Sequence, residues 1–198
     1  MPVIVRGPDE ARRAAAAGAD ALCVQGAEAG AHQGSFDNTA ARTLGLLEVL
    51  AQVRAAVGLP LIAAGGVMRE GEVAAAVAAG ASAVQCGTAF LLCPESGIHP
   101  THRAALGDPR FAATALTRAF TGRWARGLVN RFLRTHGDSA PAAYPQVHHL
   151  TRPLRRAAAD AGDADTLHLW AGVGFRAAVA RPAGEIVERF ARGAQRKV

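Results

Sequence analysis

The feature that most constrains the fold of this chain is a regular alternation of short apolar segments with helical segments over its first 92 residues. Four apolar runs predict β-strands, and the segments between them have apolar residues at helical spacing or are rich in alanine. The strands are expected at residues 2–5, 21–26, 59–66 and 81–91, and the helices at 10–18, 43–58 and 69–80. Fully apolar strands that alternate with helices are typical of a parallel sheet with both faces buried. The sequence therefore predicts an α/β fold.

A repeated pattern supports a fold built from successive βα units. The segments AAGADALCVQG (16–26) and AAGASAVQCGT (78–88) both run from a helix end through a glycine and a strand to Gln and Gly. Such repetition occurs in (β/α)8 barrels and in doubly wound sheets. We expect a single domain over residues 1–198, with the βα units in 1–92 and a helical and loop tail in 93–198 that packs onto them.

Composition argues against several classes of protein. There is no uncharged apolar run of about 18 residues, so we expect no transmembrane segment. The three cysteines, Cys23, Cys86 and Cys93, have no paired metal-ligand spacing. They are expected to be reduced thiols packed as small apolar residues, which favours a cytoplasmic location.

The charge of the chain is unevenly distributed. Residues 1–100 carry six basic and nine acidic side chains, whereas residues 101–198 carry sixteen basic and seven acidic ones. A basic half can bind nucleic acid, but here the arginines are scattered, aromatic residues are few, and no nucleic-acid-binding motif is present. We therefore expect no nucleic-acid partner. The arginines are expected on a solvated face or around a site for an anionic ligand.

Glycines and polar residues follow three of the predicted strands. They are Gln25, Gly30 and His32 after the second strand, Gly65 and Gly66 after the third, and Gln85, Cys86, Gly87 and Thr88 after the fourth. Ligands of parallel α/β folds bind at the carboxyl ends of the strands. One such glycine can serve only a tight turn, but two adjacent strand ends with glycine favour a phosphate site.

His32 is a candidate catalytic residue because it lies among glycines just beyond a strand end. Imidazole titrates near neutrality, so it can accept a proton from a weakly acidic carbon or orient an anion. Glu28 is a candidate partner for His32, although a loop glutamate is more often simply solvated. The other six histidines show no convincing zinc spacing, and no metal site is expected.

Five segments of the chain, in order, resemble the nitronate monooxygenases, formerly called 2-nitropropane dioxygenases. The segments are GADALCVQGAEAGAHQGSF, LPLIAAGGV, GASAVQCGTAFLLCPES, AFTGRWARGLVN and LWAGVG. The resemblance implies a (β/α)8 barrel that uses FMN, and no metal, to oxidise alkyl nitronates or nitroalkanes with O2 to a carbonyl compound and nitrite. It also implies a small-molecule substrate and O2 as partners. A homodimer is possible.

The resemblance assigns roles to the residues at the strand ends. His32 matches the catalytic histidine of the family, which binds the nitronate or removes a proton from a nitroalkane. Gln25 and Gly30 match flavin contacts, and Gly65 and Gly66 lie at the phosphate end. The run Gln85, Cys86, Gly87, Thr88 matches a second phosphate-binding element that commonly has Met where this chain has Cys.

The chain departs from the family pattern in two ways. The histidine motif is commonly Ala-Gly-Gly-His-Arg-Gly, and this chain has Ala31 and Gln33 instead. The change to Ala31 is expected to be mild, whereas Gln33 removes a positive charge beside the site. In addition, four βα units are predicted where a barrel has eight. We therefore expect the C-terminal half of such a barrel, with two unpaired strand edges.

Two other functions remain open from the sequence. A flavin-dependent enoyl-acyl-carrier-protein reductase shares the fold and similar glycine-rich strand ends, but it would use NAD(P)H instead of nitronate and O2. A non-catalytic remnant would keep the fold, and flavin or phosphate binding, without turnover. Retention of FMN and the choice of electron donor distinguish these possibilities.

Overall fold

The computed structural model describes residues 1–34, 36–41 and 43–195. Its strands are β1 (Pro2–Val5), β2 (Ala21–Gln25), β3 (Ala31–His32), β4 (Leu61–Ala64), β5 (Ala83–Gln85), β6 (Thr114–Thr117) and β7 (Ala125–Leu128). Its α-helices are α1 (Pro8–Ala16), α2 (Leu46–Ala56), α3 (Glu70–Ala78), α4 (Pro100–Gly107), α5 (Arg131–His136), α6 (Gln146–Asp160) and α7 (Ala183–Gln195). Short 3₁₀ turns lie at Thr88–Phe90 and Phe175–Ala177.

Four strands form a parallel sheet in the order β1-β2-β4-β5. The sheet is parallel because α1, α2 and α3 each return the chain to the same end before the next strand begins. The predicted α/β class is confirmed, and each predicted strand and helix of the first 92 residues is present. The fourth strand is shorter than predicted, because the chain leaves the sheet after Gln85 and forms the 3₁₀ turn Thr88–Phe90.

The main core lies between this sheet and its helices. Leu22 and Val24 of β2 are fully buried, as are Leu50 and Val53 of α2 and Leu61 of β4. Burying an aliphatic side chain of this size contributes roughly 1.5–3 kcal/mol relative to leaving it exposed. The apolar sequence of these strands is therefore explained by helices that cover the sheet.

The tail contains strands as well as the predicted helices and loops. β6 and β7 pair as an antiparallel hairpin, and β3 from the first half of the chain adds to the other edge of β7. The sequence did not indicate these strands, because β7 (ARGL) carries an arginine in its middle and lacks a clear apolar alternation. This second sheet joins the loop after β2 to the tail.

The tail also builds a smaller core of its own and then returns to the main one. Phe111, Leu128, Leu169 and Phe175 are buried together in the tail. The last helix, α7, packs its buried Ile186 and Phe190 into the main core beside α3.

The parallel sheet is open. In the part of the chain that the structure describes, β1 and β5 each have a hydrogen-bonded neighbour on one side only, so both are edge strands. No helix in the described ranges is both long enough and apolar enough to cross a membrane.

Candidate functional site

A cavity of about 300 Å³ opens at the carboxyl ends of β2, β4 and β5. All eight residues predicted to bind the cofactor line it: Gln25, Gly30, Gly65, Gly66, Gln85, Cys86, Gly87 and Thr88. Its volume is at the lower end of the range for small-molecule sites. The carboxyl ends of adjacent parallel strands meet at one edge of a sheet, and this explains why residues 60 positions apart in the sequence face one space.

The glycines around the cavity serve different purposes. Gly65 and Gly66 have φ of +112° and +72°, a left-handed conformation that other residues adopt only with strain. At Gly30 a Cβ atom would come within 2.6 Å of the backbone nitrogen of Gly172, so this glycine permits close backbone packing. Gly87 has φ of −117°, and a Cβ there would meet no atom within 4 Å. Only at Gly87 does the space beside the backbone remain open for a ligand.

Two polar side chains of the cavity are held by neighbouring groups. The hydroxyl oxygen of Thr88 accepts a hydrogen bond from the backbone nitrogen of Gly172 at 3.0 Å, which leaves its proton free to donate. The Oε1 atom of Gln85 accepts from the thiol of Cys23 at 3.5 Å. Burial and the charge of Glu72 raise the pKa of Cys86 to about 11, so the thiol that lines the cavity stays protonated at neutral pH.

Gln25 fixes the loop that carries His32. Its Nε2 atom donates to the backbone carbonyl of His32 at 3.1 Å, and its Oε1 atom accepts from the backbone nitrogen of Gly34 at 2.7 Å. One side chain therefore clamps both ends of a three-residue segment. Gln25 lines the cavity as predicted, but its amide is used to position this loop.

His32 is not one of the residues that line the cavity; its side chain lies in an aromatic and polar surrounding next to Trp170, which does line it. Its Nε2 atom is 2.9 Å from the hydroxyl oxygen of Thr121, in the turn between β6 and β7. The rings of Tyr144 and Trp170 each lie with centroids 5.8 Å from its own. Trp170 also lines the cavity, so it connects His32 to the cofactor candidates.

The pKa of His32 is lowered to about 4, chiefly because burial disfavours the charged imidazolium. The positive charges of Arg123 and Arg155 and the nearby His148 act in the same direction. His32 is therefore neutral at physiological pH and has one unprotonated ring nitrogen. Its free ring nitrogen can accept a proton, although the lowered pKa makes it a weaker base than an ordinary histidine.

Glu28 is not a partner of His32, and that expectation is wrong. Both carboxylate oxygens of Glu28 accept from the backbone nitrogen of Leu46 at 3.0 Å, at the start of α2. A carboxylate in this position satisfies an otherwise unpaired N–H group of the helix and interacts favourably with the helix dipole. The role of Glu28 is to fix α2 against the loop after β2.

The structure shows the surroundings of Gln33 and Ala31, the two residues that depart from the family motif. The buried side chain of Gln33 accepts from Nη1 of Arg6, the residue after β1, at 2.8 Å, so a guanidinium group lies at this position although Gln33 itself is neutral. Ala31 has φ of +62°, a left-handed conformation that costs a residue with a Cβ roughly 1–2 kcal/mol. The change to Ala31 is therefore less mild than the sequence indicated.

Several residues of the site were not predicted. Met68, Trp170, Gly172 and Gly174 line the cavity, and Thr121 contacts His32. The block LWAGVG, which contains three of these residues, resembles the family, but its sequence does not reveal which strand end it approaches. Within the described residues, no group of three or more His, Cys, Asp or Glu side chains could hold a metal ion.

The fold and the site define a parallel α/β protein with a ligand cavity at the carboxyl ends of its strands and a neutral histidine beside it. The chain belongs to the nitronate monooxygenase family, because the family model described as nitronate monooxygenase matches residues 2–193. This confirms the family that the five sequence segments indicated.

Individual relatives agree with this assignment. The chain is 46% identical over 187 residues to a nitronate monooxygenase of Pseudomonas aeruginosa, an alignment that covers 91% of this chain and 52% of the relative. A solved structure of nitroalkane oxidase from Streptomyces ansochromogenes is 58% identical with a TM-score of 0.95, and the match covers 98% of this chain and 56% of that one. FabK from Thermotoga maritima is 28% identical with a TM-score of 0.79, over 98% of this chain and 60% of that one.

The chain spans about half the length of the curated relatives it matches. The match to the Streptomyces structure shows that the described elements keep the same arrangement within that longer protein.

Proposed function

We propose that this chain forms the C-terminal half of a TIM-type (β/α)8 barrel that uses FMN to oxidise alkyl nitronates or nitroalkanes with O2. The products would be a carbonyl compound and nitrite. The observation that carries the proposal is the convergence of all eight predicted cofactor residues on one cavity, whose lining also includes Ala31 and Trp170, two neighbours of His32. Membership of the nitronate monooxygenase family and the 58% identity to a nitroalkane oxidase support the same chemistry.

The cavity fits the phosphate end of a flavin nucleotide. The open space at Gly87 would allow a phosphate oxygen to approach the backbone without a Cβ in the way. Gly65 and Gly66 line the cavity at the next strand end, and the Thr88 hydroxyl can donate a hydrogen bond. When bound, FMN would accept electrons from the nitronate and deliver them to O2.

His32 would act on the substrate. Its neutral imidazole can remove the proton on the carbon next to a nitro group, or donate a hydrogen bond to the nitro group of a nitronate. His32 is half-buried beside the rings of Tyr144 and Trp170, and burial favours the neutral form. Gln25 would hold the backbone of His32 at a fixed distance from the cavity.

The open edges of the sheet support the half-barrel proposal. Within the described ranges, β1 and β5 each have a free edge, and the apolar side chains of Ile4 and Phe36 near β1 are 41% and 42% exposed. An exposed parallel edge beside apolar side chains favours pairing with further strands. We propose that further strands of a longer chain, or a second copy of the chain in a homodimer, pair with these edges.

Visible spectroscopy after addition of FMN and desalting is the first test. Flavin retained at about one per chain, or one per dimer, supports the proposed site. Nitrite formation and O2 consumption with a nitronate then test the activity. Flavin-dependent oxidation of NADH with an enoyl thioester, without nitronate turnover, would instead support the reductase. A chain that retains flavin without either turnover would support the non-catalytic remnant.

A further inference from the structure

The contact between His32 and Thr121 carries an inference about which ring nitrogen of the histidine is the base. The Nε2 atom of His32 is 2.9 Å from the Thr121 hydroxyl oxygen. The same hydroxyl donates to the carbonyl oxygen of Arg123 at 3.2 Å and accepts from the backbone nitrogen of Arg123 at 3.3 Å. Thr121 is 2% exposed, so water does not compete for this hydroxyl.

A hydroxyl group has a single proton, and the number of hydrogen bonds therefore depends on the histidine tautomer. If His32 carries its proton on Nε2, it donates to Thr121, and Thr121 still donates to the Arg123 carbonyl. If His32 carries its proton on Nδ1, Thr121 must choose between Nε2 and that carbonyl. The Nε2-protonated tautomer therefore allows one more buried hydrogen bond. Leaving a buried donor or acceptor without a partner costs free energy of folding.

The backbone holds the two residues in this arrangement. His32 lies opposite Ala125 in the β3–β7 ladder, and the backbone nitrogen of Gln33 donates to the carbonyl of Trp124 at 2.8 Å. Asn38 binds the same turn from the other side, with its Nδ2 atom 2.7 Å from the carbonyl of Gly122. Thr121 therefore faces His32 because of sheet pairing and not because of a chance side-chain contact.

We propose that Thr121 is a positioning residue that keeps the proton of His32 on Nε2 and leaves Nδ1 as the base. This inference rests on the proposed function for its chemistry. In the proton-transfer step, the C–H bond next to the nitro group breaks and its electron pair remains on the substrate as the nitronate. A new N–H bond forms at Nδ1, and the resulting imidazolium keeps its Nε2 proton on Thr121.

The tautomer can be measured without turnover. Long-range ¹H–¹⁵N correlation spectra of the ¹⁵N-labelled chain show which nitrogen of each histidine is protonated, and the signals of His32 are those lost in His32→Asn. We expect Nε2 to be protonated in the wild-type chain and in Thr121→Ser, and this preference to be lost in Thr121→Val. A proton on Nδ1 in the wild type, or an unchanged tautomer in Thr121→Val, overturns the proposal.

Thr117 provides a matched control. It is a buried threonine of the same hairpin, its hydroxyl accepts from the backbone nitrogen of Ala119, and it is 1% exposed. Thr117→Val should leave the His32 tautomer unchanged. If Thr121→Val does not fold, the spectra of the wild type and Thr121→Ser still decide which nitrogen is protonated.

Comparing two substrates shows whether Thr121→Val affects only the proton on His32 or damages the whole site. Thr121→Val should lower kcat/KM for a neutral nitroalkane roughly tenfold, the usual effect of one lost hydrogen bond, and Thr121→Ser should restore it. Oxidation of a preformed nitronate, which needs no proton removal, should be unchanged. An equal loss on both substrates contradicts the proposal. A wild-type chain that retains flavin but oxidises neither substrate refutes the proposed function, whereas the spectra judge the tautomer independently.

Discussion

Gln25 donates from its side-chain amide to the backbone carbonyl of His32, and it accepts through its other amide atom from the backbone nitrogen of Gly34. The residue that ends β2 thereby fixes the loop that carries the candidate base. The position of His32 depends on a donor and an acceptor in one side chain, and the amide of glutamine supplies both.

Gln25→Glu should destabilise the chain and displace His32. Glutamate keeps an acceptor for Gly34 but has no donor for the carbonyl of His32, and a lost partner for a part-buried group costs about 1–3 kcal/mol. Urea unfolding should show this loss. Gln52→Glu, on the exposed face of α2, is the matched control and should change stability little. Equal stability of Gln25→Glu and wild type would contradict the clamp.

Ala31→Gly should stabilise the chain. Glycine removes the backbone strain at φ of +62°, which costs alanine roughly 1–2 kcal/mol. Part of this gain is lost because glycine raises the conformational entropy of the unfolded chain. We expect a net gain of about 0.5–1 kcal/mol in the free energy of unfolding. Ala51→Gly, at an exposed position of α2, should show the opposite sign by a similar amount. Loss of stability in Ala31→Gly would show that the alanine conformation is not strained.

His32→Asn should lower nitroalkane turnover by ~10²–10⁴-fold, the usual contribution of a general base. Flavin retention should be unchanged, because the cavity is lined by other side chains. Turnover assays and the visible spectrum of each purified variant provide the two measurements. His149→Asn, on the exposed surface of α6, is the control. Unchanged turnover in His32→Asn would remove His32 from the catalytic mechanism.

Gly87→Val should abolish flavin retention while the chain stays folded. Its φ of −117° suits any residue, and the side chain would enter space in which no protein atom lies within 4 Å of the new Cβ. Gly97→Val also meets no atom within 4 Å but lies outside the cavity, so it should retain flavin. A flavin-loaded Gly87→Val protein with normal circular dichroism would contradict the phosphate site.

Stability should fall as the pH is lowered from about 6.5 to about 4. Burial lowers the pKa of His32, His102 and His168 to about 4, below the ordinary value of 6.5. In this window the unfolded chain binds protons on these rings and the folded chain does not, so protonation favours unfolding. Urea unfolding at several pH values measures the slope, and His102→Leu should reduce it. A free energy of unfolding that stays constant through this window would contradict the prediction.

The alternation of strands and helices in the first 92 residues was predictable because each element depends mainly on its own sequence. The apolar runs PVIV and ALCVQ and the helical spacing in α2 are local signals, and the structure confirms them. The end of β5 was not predictable, because an apolar run continues through the 3₁₀ turn Thr88–Phe90. The strands β6 and β7 were not predicted, because they form by pairing with each other and with β3 and have no clear alternation of apolar residues.

The sequence by itself determined which residues follow the strand ends, and these form one part of the cavity lining, whereas Met68 and the tail residues Trp170, Gly172 and Gly174 were not predicted. The residues at the strand ends converge because parallel strands end at one edge, a rule that needs no knowledge of distant contacts. Only the tertiary structure decided the surroundings of His32. Thr121 lies 89 residues away in the sequence and reaches it through β3–β7 pairing, while Glu28, close in sequence, binds α2 instead. Hydrogen-bond partners depend on where the backbone places each group, and sequence proximity does not specify that position.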